Sequence, residues 1–274
     1  MKAQVKISLL SLMIWILMVP LTSQGQKIIR EPRTCMPFSR IVNHSSADLI
    51  IQQGTQNEIV VEADQAIIDR VITEVKGNTL NIFVQIPRPF RKTNIIKVRI
   101  TVPALEELVI NGSGDISTEQ ALLTGNMKLT VDGSGDARIA MQGGSFECHI
   151  NGSGDVSVNG ARGDLQLNIH GSGDFTGTHL QLNTATLSCF GSGDIRLEGK
   201  AAQLNIDNSA SGDMNATELP TEKVVIQSKG SGDVKVWAIQ SIQAKLLGSG
   251  DVTVKGNPKN RQISKKGSGN IHFL

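Results

Sequence analysis

The chain has 274 residues, 39% of them apolar and 19% charged, with 28 glycines, 7 phenylalanines, 2 tryptophans, no tyrosine and 3 cysteines. This apolar share with interspersed charge excludes a disordered tail, and so few cysteines exclude a disulfide-built scaffold. A formal charge of +2 offers no basic surplus for a nucleic acid or an anionic membrane.

Residues 1–25 read as a secretory signal: Lys2 and Lys6, an apolar run from Ile7 to Leu21, then Thr22 to Gly25, with cleavage after Gly25. The run, about 15 residues, is short of the roughly 20 that a spanning helix needs. No cysteine stands where a lipoprotein would need one, since Cys35 lies too far on. Cleavage removes two lysines and no acid, so 27 basic and 25 acidic residues become 25 and 25. The expected product is exported to the periplasm, cell surface or extracellular space and is not an integral membrane protein. Residues 26–36 would be a linker.

Between residues 37 and 111 the pattern is irregular. Ser45-Ser46-Ala47-Asp48 followed by Leu49 and Ile51 resembles a degenerate copy of a motif that dominates later. Alternating runs at Ile59 to Glu62, Thr79 to Val84 and Ile96 to Val102 predict strands, separated by Gly77-Asn78 and by Pro87 to Pro89, with a short helical turn between Asp64 and Ile72. These residues are expected to form irregular first rungs that cap the C-terminal repeats.

From residue 112 to the end one corner recurs. The copies are Gly112-Ser113-Gly114-Asp115, Gly133-Ser134-Gly135-Asp136, Gly152-Ser153-Gly154-Asp155, Gly171-Ser172-Gly173-Asp174, Gly191-Ser192-Gly193-Asp194, Ala210-Ser211-Gly212-Asp213, Gly230-Ser231-Gly232-Asp233, Gly248-Ser249-Gly250-Asp251 and Gly267-Ser268-Gly269-Asn270. Nine copies over 155 residues give a mean period of 155/8, about 19.4, which signals a solenoid. Counting from the first corner residue as zero, offsets −6, −4, −2, +4 and +6 are apolar in 38 of 45 cases, and offsets −5, −3, −1 and +5 in only 4 of 36. Such alternation describes two half-buried strands joined by a corner, and stacking them predicts an all-β, single-stranded, right-handed parallel β-helix of about 19 to 20 residues per rung. The −4 column from Leu108 to Ile263 would be a core ladder, and Lys265, Lys266 and Asn270 break the pattern on the last rung, placing a charge at an inward offset that would block edge-to-edge stacking.

The corner glycines should supply backbone angles closed to other residues and let corners approach closely. Stacking would place eight aspartates in a column about 4.8 Å apart. Three arrangements relieve their repulsion: backbone N–H or serine hydroxyl groups donate to the carboxylates, Arg138, Arg196 and Lys235 neutralise Asp136, Asp194 and Asp233, or calcium binds the column. No metal or other cofactor is required. The cysteines read as structural thiols, with Cys148 and Cys189 two rungs apart and beyond disulfide reach. His149 and His170, at outward offsets in adjacent rungs, read as solvated.

The run Val98 to Leu105 leading into Leu108 to Asp115, the serial Gly-Ser-Gly-Asp corners and Leu49 to Gly54 together resemble the auto-transporter adhesin head GIN domain family of secreted bacterial proteins. The resemblance spans roughly residues 37–274 and implies an exported solenoid with a cell-surface or periplasmic binding role and no enzymatic activity. The chain ends at Leu274, one strand past the last corner, with no room for a membrane barrel, so self-translocation is not expected. The leading expectation is a non-catalytic adhesion module whose partner is a surface or matrix ligand, glycan or protein. A carbohydrate-active β-helix enzyme is the alternative, disfavoured by the single tryptophan, Trp237, left after cleavage. The third is an envelope scaffold that self-associates.

Overall fold

The computed structural model describes residues 27–85 and 96–274. The signal segment with its Gly25 cleavage site and the Pro87 to Pro89 separator lie outside the described residues. The strands in chain order are β1 (Ile28–Arg33), β2 (Arg40–Asn43), β3 (Asp48–Gln53), β4 (Glu58–Asp64), β5 (Val71–Lys76), β6 (Thr79–Val84), β7 (Lys97–Val102), β8 (Glu107–Ile110), β9 (Ile116–Thr118), β10 (Met127–Val131) and β11 (Ala137–Ala140). They continue as β12 (Phe146–Ile150), β13 (Val156–Asn159), β14 (Arg162–Ile169), β15 (Phe175–Cys189), β16 (Ile195–Asn208), β17 (Met214–Ser228), β18 (Val234–Leu246), β19 (Val252–Lys255), β20 (Asn260–Lys265) and β21 (Ile271–Phe273). One 3-10 turn at Ile68–Arg70 falls where the sequence suggests a helical turn.

The molecule is a parallel β-solenoid. On the side before each corner the stack runs β8, β10, β12, β14, β15, β16, β17, β18, β20. On the side after it the stack runs β9, β11, β13, β15, β16, β17, β18, β19, β21. From β15 to β18 one strand follows a corner, bends along the third side and leads to the next corner. The −4 column pairs rung on rung without a slip: Leu108, Leu129, Cys148, Leu167, Leu187, Ile206, Ile226, Ala244, Ile263. A parallel ladder stacks like on like, so a period-two pattern repeated at one register builds one continuous core.

Corner spacing varies from 18 to 21 residues. The slack is taken up on the third side, where the register shifts at Gly163/Asp164, Gly177/Leu180, Arg196/Glu198, Ala216/Pro220 and Thr221/Lys223. Bulges there leave the corners and the two flat sides in register.

The N-terminal segment departs from a simple run of early rungs. β2 and β3 form a rung directly beneath β8 and β9, and its corner, Ser45 to Asp48, stacks under Gly112 to Asp115. The chain then leaves this rung and lays β6 and β7 on the outer side of β2 and β3 before returning to β8. Stacking order therefore differs from chain order. Three strands of mixed direction close this end: β5 runs antiparallel to β6, β4 antiparallel to β7, and β1 antiparallel to β4.

Candidate functional site

The corner column is the densest array of potentially reactive groups, and its geometry starts from the glycines. A Cβ at Gly133 or Gly152 would lie 1.9 Å from the carbonyl oxygen of the corner below, and one at Gly154 or Gly173 would lie 2.1 Å from it. None of the corner glycines has a positive φ; the glycines that do, such as Gly143, Gly160 and Gly199, lie between corners. Close approach of stacked backbones, and not a left-handed angle, therefore selects glycine here. In the regular corner two successive N–H groups converge on one carbonyl, as Asn151 and Gly152 do on Val131 O.

Ala210 shows what happens when a Cβ is present. Its N–H turns from the neighbouring rung to the side chain of Asn208 (3.0 Å), and Asn208 Nδ2 donates to Gly232 O (3.2 Å). Ser45 repeats the device, its N–H donating to Asn43 Oδ1 (3.1 Å) while Asn43 Nδ2 reaches Ala47 O (2.8 Å). Asn43 and Asn208 are both fully buried at offset −2. The sequence carried a usable signal: the two corners lacking the first glycine are the two with asparagine at that inward offset.

The aspartates form an unbroken ladder. Asp48 Oδ1 accepts the Asp115 N–H, Asp115 Oδ1 that of Asp136, and so on through Asp155, Asp174, Asp194, Asp213, Asp233 and Asp251 to Asn270, at 2.7 to 3.1 Å. Each side chain thus caps the next rung rather than its own turn. Of the basic residues expected to neutralise the column, Arg138 reaches Asp136 at 3.5 Å. Arg196 turns instead to Glu198, two residues on along the strand, at 2.8 Å. Lys235 makes no ion pair among the described residues. There, too, no group of three His, Cys, Asp or Glu side chains gathers as a metal site.

Elsewhere the surface carries shallow features. His149 and His170 each have a partner of their own: His149 pairs with Glu147 at 2.6 Å beside Lys128, and His170 stacks on Phe190 at 5.0 Å. The His149 hydrogen bond, helped by Lys128, holds the Glu147 carboxyl below its usual range. Lys255 Nζ sits 3.9 Å above the Trp237 ring. An open groove of about 510 Å³ crosses the third side between Leu182, Lys200, Pro220, Glu222 and Ile239. All three cysteines are free, and burial pushes the Cys148 and Cys189 thiols up. Among the described residues no helix is long and apolar enough to cross a membrane.

Residues 37–196 and 162–258 match the family "Putative auto-transporter adhesin, head GIN domain". Similar solved structures include a "putative adhesin" from Parabacteroides distasonis (20% identity, 91% of this chain and 98% of that one, TM-score 0.67). A "putative lipid binding protein" from the same species (24%, 92% and 98%, 0.63) and a "putative adhesin" from Parabacteroides merdae (19%, 90% and 96%, 0.61) share the fold. No curated protein sequence matches the chain.

Proposed function

The chain belongs to the auto-transporter adhesin head GIN domain family, and from that premise we propose that it is an exported, non-catalytic binding module that offers its regular solenoid sides to a surface or matrix ligand. Residues 37–111 serve as its cap and residues 112–274 as its repeat body. The observation that carries the non-catalytic part is the aspartate ladder. Acid–base catalysis needs two carboxyls in different environments. Here every corner carboxylate sits at the same register and spends one oxygen on the backbone N–H of the next rung, and among the described residues only Asp136 and Asp251 also have a basic side chain beside them. Rungs bonded at both the corner and the strands make a stiff surface, so a ligand binding along it orders few protein groups, which favours affinity.

The test is an array of glycans, matrix proteins and lipid vesicles probed with residues 26–274, run beside a polysaccharide-turnover panel. Saturable binding without turnover is the expected result. Turnover abolished by one point substitution would replace this reading with the carbohydrate-active one. Recovery of the protein solely from the cytoplasm after cell fractionation would refute export.

A further inference from the structure

The last rung breaks three regularities of the solenoid together. β20 is exposed at all six residues, and Ile263, in register with Ala244 at 2% exposure, is itself 44% exposed. Among the described residues β20 pairs only with β18 and β21 only with β19, so both keep an open backbone edge. Charge is the third. Residues 252–274 hold five Lys and Arg and no Asp or Glu, whereas residues 96–251 hold eleven basic against eighteen acidic. Among the described residues Lys259, Arg261, Lys265 and Lys266 form no ion pair: Arg261 lies over Phe273 at 4.0 Å, and Lys265 donates to Asn270 Oδ1 at 3.0 Å.

An open strand edge is a template for an added strand, and the basic side chains along this one turn away a basic or identical strand while admitting an acidic one. A second copy is a poor occupant. Meeting end to end at this rung would set four unpaired cations against four, and at the opposite end the strand β1 carries Arg30 and Arg33 against one acid, Glu31. There β1 also holds Pro32, which has no N–H to give. A charged lipid surface would meet the cations and leave the strand edges unpaired. We propose that this rung receives a β-strand from an acidic partner polypeptide. Like stacks on like in a parallel ladder, so the register specifies the segment: acidic, any, apolar, any, acidic, its carboxylates over Arg261 and Lys265 and its apolar residue over Ile263. This docking is independent of the solenoid sides, and an empty glycan array would leave it intact.

The probe is the labelled peptide Thr-Glu-Thr-Val-Thr-Glu-Thr, titrated into residues 26–274 at low and high salt. Expected are saturable binding that weakens with salt, new hydrogen-exchange protection of the β20 amides, and a loss of roughly tenfold or more in the Arg261→Glu, Lys265→Glu double variant. The same peptide with lysine for glutamate should bind that variant instead. Because both residues close the end of the stack, Lys259→Glu with Lys266→Glu provides a gentler version that should weaken binding in the same direction. A peptide N-methylated at alternate positions should fail. Equal binding of the methylated peptide, equal binding of anionic vesicles, self-association of the chain, or no binding would each overturn the proposal.

Discussion

At a corner, the neighbouring rung decides what a single methyl group costs. A Cβ at position 152 would meet Gly133 O at 1.9 Å, which no rotamer relieves. Gly152→Ala should therefore cost about 3 kcal/mol in urea unfolding, despite the lower entropy of the unfolded alanine chain. Ala210 escapes this because Asn208 receives its N–H, and the two form a coupled pair. Asn208→Leu alone leaves the buried Ala210 N–H and Gly232 O without partners, a loss of about 1–3 kcal/mol. Adding Ala210→Gly restores the regular corner, and the double variant should recover at least about 1 kcal/mol of that loss. Additive effects in the cycle would show that the asparagine and the alanine are unrelated.

Along the ladder, a single aspartate is best understood through its two neighbours. Carboxylates about 4.8 Å apart repel by about 0.9 kcal/mol per pair in water, while Asp155 Oδ1 holds the Asp174 N–H at 2.9 Å. Asp155→Asn keeps an acceptor and removes the charge, so it should leave stability unchanged or raise it. Asp155→Ala removes the acceptor and should lose about 1–2 kcal/mol. If both variants lost the same amount, the charge and not the hydrogen bond would be the structural element. The paired strands were legible because alternation and one fixed corner register are local, and so the −4 column from Leu108 to Ile263 could be written from the sequence. Two things were not. The inter-rung path of each Asp side chain depends on the rung above it, and Arg196, with a carboxylate two residues away on either side, pairs with Glu198. Ile263 kept its place in the column yet stays exposed, because no described strand covers the last rung.

For the whole molecule, the order of stacking matters more than the order of the chain. Local patterns mark β3, β6 and β7 as strands, but nothing local says that the rung of β2 and β3 waits for partners near residue 110 while the chain builds β6 and β7 outside it. Asp48 bonds Asp115 across 67 residues, a separation that slows folding through loop-closure entropy. The return for that cost is closure of the apolar end. Leu108, Ile110 and Ile116 are fully buried, with Ile41, Asn43 and Leu49 as their partners in the ladder below. A fragment beginning at residue 104 would present these side chains and the bare edges of β8 and β9 together, which is the flat apolar edge that natural sheets protect. Residues 104–274 should therefore retain β-sheet circular dichroism but self-associate in sedimentation velocity, while residues 26–274 at the same concentration remain monomeric. A folded, monomeric fragment would mean that the N-terminal excursion does not serve as the cap.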